Sequence, residues 1–364
     1  RVAPAGGRGP LTSTAVTGSG DTNRPRSVLC VRLGAIGDVA NALTVASAIK
    51  AADPDVRVGW ATHPLSAPLV CGHPAVDRVH LVPRTRSPRA LAGVVRELRS
   101  GDYDAALDLQ RLQKSALLAR LSGARRVVGF DRPRTKEVSW IWTNERIATG
   151  PREEHMLLQY MRFPRLLGFA DESTPPPREL PSDPEAVAFA EALVDELRSP
   201  VLLNLGASKP AKLWPAGSFR ALCQELLAAG VGPLVLLGGP GDKELGAEVA
   251  AGLDVRDLSG ATTLPMVWEI ARRARVMVTG DTGAMHLAAA VGAPVVAVFG
   301  PGDAGRTGPY GPGHVLLRGG VRVPSLDGLA PGRGSAVSRM DETPVGPVRE
   351  AVLEIVKTAE SRVR

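Results

Sequence analysis

Residues 276–301 read VMVTGDTGAMHLAAAVGAPVVAVFGP, and this stretch decides the fold. Residues 276–279 are a short apolar run of the kind buried on both faces in a parallel sheet. Gly280-Asp281-Thr282-Gly283 follows as a turn, and residues 282–291 have helical spacing, with Asp281 or Thr282 able to cap the start. A second apolar run, residues 295–299, completes a strand–helix–strand unit of a doubly wound sheet. Ligands of such sheets sit at the carboxyl ends of the strands, and a helix start offers free amides with a partial positive charge. The stretch therefore reads as an anion site. Gly283 would let a ligand approach the backbone, and His286 lies one turn inside on a nearby face. Asp281 would repel a diphosphate, so it reads as a cap or as an acceptor of sugar hydroxyls. Taken alone, the segment fits an ordinary strand–turn–helix with a core histidine almost as well.

The same alternation runs outward in both directions. Strands are expected at residues 201–205, 233–237 and 255–258, with helices at 219–229, 243–251 and 264–273. Nearer the N-terminus, strands are expected at 28–33, 56–61, 78–82, 105–109 and 126–130, with helices at 39–52, 89–98, 114–121 and 153–167. Residues 171–184 are rich in Pro, Ser and acid and read as a linker. The fold class is α/β, with two Rossmann-like doubly wound domains, and 364 residues are enough for two cores. The expected organisation is a disordered tail at 1–26, a first domain at 27–175 and a second at 185–343, in which 325–335 is a loop. A C-terminal helix at 344–364 is long enough to cross back to the first domain.

Composition narrows the function. Aromatics are 4% of the chain, too few for a surface built to stack bases or sugars. The net charge of +7 comes largely from Arg. The arginines read as dispersed, with no long basic run, so nucleic acid is not expected as a partner and an anionic substrate or membrane surface is. Cys30, Cys71 and Cys223 are far apart and odd in number, as expected of reduced thiols in a cytoplasmic protein. Neither C-x-x-C nor H-x-x-x-H occurs, so no metal site is expected. No run of about 18 apolar residues could span a membrane, and residues 1–26 lack the apolar region of a secretory signal.

Three further segments carry candidate chemistry. Residues 203–215, LNLGASKPAKLWP, end a strand in a small-residue turn, where Ser208 could hold a phosphate oxygen and Lys212 could supply charge to a leaving nucleotide. Lys209 reads as a solvated loop charge. Residues 32–38, RLGAIGD, place Asp38 where the first helix opens, either as a cap or as a general base facing an interdomain cleft. Residues 108–115, DLQRLQKS, and 129–137, GFDRPRTKE, follow strands of the first half. Arg132, Arg134 and Lys136 form a basic cluster there, suited to an anionic acceptor. Asp53-Pro-Asp55 and Asp102-Tyr-Asp104 match D-x-D but fall at the amino ends of strands, where Asp is a turn residue. No G-x-G-x-x-G is present, so no nicotinamide site is supported.

In this order and spacing, the segments resemble glycosyltransferase family 9, the ADP-heptose:lipopolysaccharide heptosyltransferases. The matching pieces are the G-D turn after the first strand, D-x-Q-x-x-x-K-S, K-x-W-P, and D-T-G-x-x-H-L followed by F-G-P, spread over roughly residues 28–319. The resemblance implies two domains facing across a cleft (GT-B), acceptor side first and donor side second. It implies Asp38 as catalytic base. Ser208, Lys212, Asp242, Thr262, Asp281, Thr282, Gly283 and His286 then fall on the donor side, and Gln110, Lys114, Ser115, Arg134 and Lys136 on the acceptor side. The implied reaction is inverting, metal-independent transfer of a heptose from ADP-heptose to a hydroxyl of a lipopolysaccharide core or other envelope glycan, with no cofactor. The implied partners are a nucleotide-sugar donor and an anionic glycan or glycolipid acceptor, met in the cytoplasm at the inner membrane surface. Two departures bear on the acceptor: Asn41-Ala-Leu-Thr44 replaces a T-L-P-like turn, and Ser325 and Ser338 stand where many members have cysteines. The alternatives are a non-catalytic nucleotide-sugar-binding protein and a sugar-nucleotide epimerase of the same architecture.

Overall fold

The computed structural model describes residues 24–85, 87–151, 153–169, 175–176, 178–323 and 339–363. Most of the predicted tail, part of the predicted linker, and the 325–335 loop with Ser325 and Ser338 lie outside the described residues.

Among the described residues, thirteen strands form two sheets. The first contains β1 (Ser27–Val31), β2 (Arg57–Thr62), β3 (Arg78–Leu81), β4 (Ala105–Asp108), β5 (Arg126–Gly129) and β6 (Glu145–Arg146). Its order is β3-β2-β1-β4-β5-β6, parallel throughout. The second contains β7 (Val201–Asn204), β8 (Leu234–Leu237), β9 (Arg256–Asp257), β10 (Val276–Gly280), β11 (Val295–Phe299), β12 (Val315–Arg318) and β13 (Val321–Val323). Read as β9-β8-β7-β10-β11-β12, it repeats the order of the first, with β13 added antiparallel at the edge. Each sheet reverses direction at one point, between β1 and β4 or between β7 and β10. The crevice there is where such sheets take ligands.

The helices are α1 (Ile36–Ala52), α2 (Pro88–Arg99), α3 (Gln113–Leu121) and α4 (Met156–Leu166), then α5 (Pro184–Leu197), α6 (Ala216–Ala228), α7 (Lys243–Ala250), α8 (Leu264–Arg273), α9 (Gly283–Ala290), α10 (Ala304–Thr307) and α11 (Val345–Val363). Local chemistry starts several of them. Ser87, Asp183 and Thr263 accept from the backbone N–H three residues on, with Pro at the first or second helical position, which joins a side-chain cap to a φ already suited to the first turn.

Period-2 alternation divides the strand side chains between two faces. Val28 and Cys30 pack with α1 and α4, whereas Leu29 and Val31 pack with α2 and α3. In the second sheet Leu202, Met277 and Val295 pack with α5, α8 and α9, while Val201, Val276 and Val296 pack with α6 and α11. The α1/α4 layer meets the α8/α9 layer, and Trp268 and Leu287 of the second half are buried within the core of the first. The last helix departs from expectation. It packs on α6 and β10–β12, because Val348, Ala351, Val352 and Val356 form a helical stripe buried in the second core. That layer faces away from the first domain.

Candidate active site

The two crevices meet because α1 and α9 touch at their N-terminal ends, and glycine makes the approach possible. A methyl group on Gly37 would stand 2.2 Å from Cδ2 of His286, and one on Gly283 would stand 3.2 Å from Ile36. Gly283 therefore admits the first domain rather than a ligand. His286 is buried at this contact, and its Nδ1 takes the Asn41 amide at 3.1 Å, which assigns the remaining proton to Nε2. Burial pushes the imidazole down to about 4; Asp38 opposes this, and Arg178 and Lys212 add to it. The ring is neutral at pH 7 and lies between the candidate base and the candidate donor lysine.

On the donor side, Thr282 is the first residue before α9 but makes no capping bond. Its hydroxyl pairs with Thr279 at 3.1 Å and takes the Asn204 amide at 3.4 Å. Asp281 does not cap either. It is nearly buried, and its Oδ2 accepts from Lys212 Nζ at 2.5 Å. The first-turn amides of α9 thus have no side-chain cap, and a lysine is fixed beside them. That combination suits a phosphate. Ser208 is exposed in the turn after β7, as is Lys209. Asp242 follows β8, lies beside Gly206, and accepts from the Gly239 N–H at 2.7 Å. Thr262 is half-buried in the turn before α8. All of these stand at the carboxyl edge of the second sheet.

On the acceptor side, Asp38 lies in the first turn of α1 and is not its cap. Its Oδ2 is paired with Arg32, which is buried and donates to the Leu109 carbonyl at 2.8 Å. Asp38 itself is 41% exposed. Arg111, Lys136 and Arg306 surround it at longer range: burial pushes Arg111 down, with Arg306 and Arg32 adding to the effect, and Lys136 is lowered by partial burial and by Arg111 and Arg306.

Three of the expected acceptor residues have partners within the fold. The Gln110 side-chain oxygen accepts from the Leu33 N–H at 2.8 Å, which fixes the β1–α1 loop. Ser115 is buried and donates to Asp108 at 2.6 Å. Arg134 is buried, paired with Asp131 and Glu154, and donates to the Ala148 carbonyl at 2.7 Å. The basic cluster therefore loses its central member. Lys114 is exposed at the start of α3 and Lys136 is exposed near Arg111. Among the described residues no group of three or more His, Cys, Asp or Glu could hold a metal ion, and no helix is long and apolar enough to cross a membrane.

A family model described as glycosyltransferase family 9 (heptosyltransferase) matches residues 91–323, well over half of the chain. The chain belongs to glycosyltransferase family 9. It is similar to lipopolysaccharide heptosyltransferase 1 of Pseudomonas aeruginosa, 29% identical over 307 residues that cover 80% of this chain and 83% of that relative. It is also similar to the lipopolysaccharide core heptosyltransferase OpsX of Haemophilus influenzae, 24% identical over 297 residues covering 79% and 83%. Among solved structures, the family 9 glycosyl transferase of Veillonella parvula superimposes with a TM-score of 0.76 at 18% identity, covering 91% of this chain and 97% of that one. The E. coli heptosyltransferase WaaC with ADP gives 0.71 at 24%, covering 90% and 99%. At these identities the structural likeness is one of fold.

This family 9 glycosyltransferase uses residues that sequence reading passed over. Arg32 stands within a quoted motif, but its pairing with Asp38 depends on a turn of α1. Arg178 donates to the Asn41 side chain at 3.1 Å and to the carbonyls of Ala289 and Tyr310 at 3.2 and 2.6 Å. It clamps the two domains from within the predicted linker. His155 is neutral, pushed down to about 3 mainly by burial, and its Nε2 holds the Gly308 carbonyl at 3.0 Å. That bond brings the loop bearing Arg306 to the first domain. Partners more than a hundred residues apart leave no local signal.

Proposed function

We propose that this glycosyltransferase moves a heptosyl group from an ADP-heptose-type donor to a hydroxyl of a lipopolysaccharide-core acceptor, with inversion at the anomeric carbon. The reading rests on one observation above the rest: an exposed carboxylate and an uncapped helix start with its lysine are brought together at the α1–α9 contact. The names of the relatives, which are lipopolysaccharide heptosyltransferases, support the sugar and the acceptor.

Asp38 takes the proton of the acceptor hydroxyl as that oxygen attacks the anomeric carbon. The bond from that carbon to the diphosphate oxygen breaks, and the departing negative charge is met by the α9 amides and by Lys212. Arg32 holds one oxygen of the Asp38 carboxylate, leaving the other for the proton. Asp281 fixes Lys212 beside the helix start. Ser208, Asp242 and Thr262 line the same edge for the rest of the nucleotide, and Lys136, Arg111 and Arg306 favour an anionic acceptor. Domain limits of 27–175 and 185–343, with α11 joined to the second, go with this division of labour. A lipid-linked acceptor puts the enzyme at the cytoplasmic face of the inner membrane.

The test is release of ADP from ADP-heptose with and without a lipopolysaccharide-core acceptor. Acceptor-dependent release is expected. Binding of the donor without turnover would return the chain to a nucleotide-sugar-binding protein, and an isomerised donor without ADP release would make it an epimerase.

A further inference from the structure

The positive charge of the chain is not spread evenly. Residues 84–137 hold thirteen Lys and Arg against six Asp and Glu, a surplus as large as the +7 of the whole chain. Arg84, Arg89, Arg96, Lys114, Arg120 and Arg132 are exposed on or beside α2 and α3, whereas Arg134 is buried and paired and Arg111 and Lys136 stand toward Asp38. The carboxylates nearby are engaged. Glu97 is held by His80 at 2.9 Å, Glu145 by Arg126 at 2.8 Å, and Glu137 by the Gln113 N–H at 3.3 Å.

The same face carries apolar surface. A groove of about 690 Å³ runs between α2 and α3, lined by Leu91, Val95, Leu117 and Leu121, with Arg84 and Lys114 also in its wall. Arg84 follows β3 and Lys114 opens α3, so that end of the groove lies on the carboxyl edge that also bears Asp38. The turn after β5 packs beside α3 and exposes Val138 and Ile141, each 51% accessible. This layer is on the far side of the first sheet from the second domain, and among the described residues neither half of the protein covers it.

We propose that the α2–α3 layer, with the turn bearing Val138 and Ile141, docks on an anionic phospholipid leaflet. This deepens the preceding reading, in which the acceptor is lipid-linked. Lys and Arg near such a leaflet are each attracted to its surface potential. Ile141 and Val138 enter the headgroup boundary, and the Leu-lined groove receives an acyl chain. An RNA partner fits the face less well. Bases stack on free aromatic faces, whereas Trp140 is covered by the Arg132 guanidinium at 4.1 Å.

The experiment is vesicle flotation of the full chain without donor or acceptor, so its outcome is independent of the transfer assay. Vesicles of phosphatidylcholine alone are compared with an equimolar phosphatidylglycerol mixture. The wild type is expected to float with the mixture and not with phosphatidylcholine alone. Reversing two charges in Arg89→Glu/Arg96→Glu should weaken partition by about tenfold or more. Ile141→Asp should weaken it about fivefold or more, through lost apolar insertion and added repulsion. Both variants should keep the wild-type melting temperature and the wild-type rate on a delipidated acceptor. Equal flotation with both vesicle types overturns the proposal, as does wild-type partition in either variant. Binding of a single-stranded RNA without vesicle binding also overturns it, and would assign the face to nucleic acid.

Discussion

Each half of the molecule pairs one cation with one carboxylate at its crevice, and the two pairs are exposed in opposite senses. In the first half Arg32 is buried, 5% accessible, and Asp38 is open at 41%. In the second half Lys212 is the more open partner at 27% and Asp281 is sunk at 10%. The helix starts agree with this: α1 has Asp38 in its first turn, and α9 has no acidic residue there. Sheet order is the same in both halves, so topology fixes where each site lies but not what it does. In the proposed function the more open member of each pair decides that, presenting a carboxylate for a proton on one side and an ammonium for a phosphate on the other.

The strongest way to break the comparison is Asp38→Ala. Transfer is expected to fall by about 10²–10⁴-fold, the usual contribution of a general base. The rise in melting temperature on adding ADP should persist, since that reports the second half alone. A variant that transfers at the wild-type rate removes Asp38 from the chemistry.

The reverse experiment gives the second half the character of the first. Ala284→Asp places a carboxylate in the first turn of α9, beside the uncapped amides. The helix itself should gain about 0.3–1 kcal/mol from the favourable charge at its N-terminus. Nucleotide affinity should fall by about 2–3 kcal/mol, close to a hundredfold, through like-charge repulsion. Calorimetry and a melting curve separate the two effects. Unchanged ADP affinity would mean that the diphosphate does not lie at this helix start.

How much of this was legible follows the range of the interactions. The apolar run that became β10, the glycine turn and the start of α9 are local, and their positions were readable within a few residues. Helix α5 was equally readable, since Asp183 and Pro184 mark its start, yet the linker reading obscured it. Strands β6, β12 and β13 are absent from the sequence expectations, and length alone does not account for this, since β5 and β9 are as short and were expected. The partners of Ser115 and Arg134 could not be read from residue type, because burial decides which polar side chains are engaged within the fold. The charge surplus of residues 84–137 can be counted in the sequence, but the fold is needed to show which of those cations share the α2–α3 layer.

Acid should test the contact between the halves. His73, His155 and His286 are buried and pushed down to about 4, 3 and 4, in each case chiefly by burial. In the unfolded chain they titrate near 6.5. Between that value and the folded one, the unfolded state binds more protons, so stability is fully present above pH 6.5 and is lost as the pH falls. By pH 5 each imidazole should cost about 2 kcal/mol. His286 and His155 join elements of the two halves, so a His155→Gln variant should show a shallower fall in melting temperature between pH 6.5 and 5 than the wild type. An identical slope would mean that His155 does not stay neutral there.

The smallest effect is expected from Arg32→Lys, which keeps the charge and removes the fork. One guanidinium nitrogen of Arg32 donates to the Leu109 carbonyl and the other meets Asp38. A single ammonium cannot hold both positions, because arginine fixes its donors in a plane and lysine does not. Asp38 should stay charged but less well oriented, lowering kcat by roughly a few-fold to tenfold, with ADP affinity unchanged. The opposite result, weakened ADP binding at constant kcat, would mean that Arg32 serves the donor side. The division between an exposed acid in one half and an exposed base in the other would then not hold.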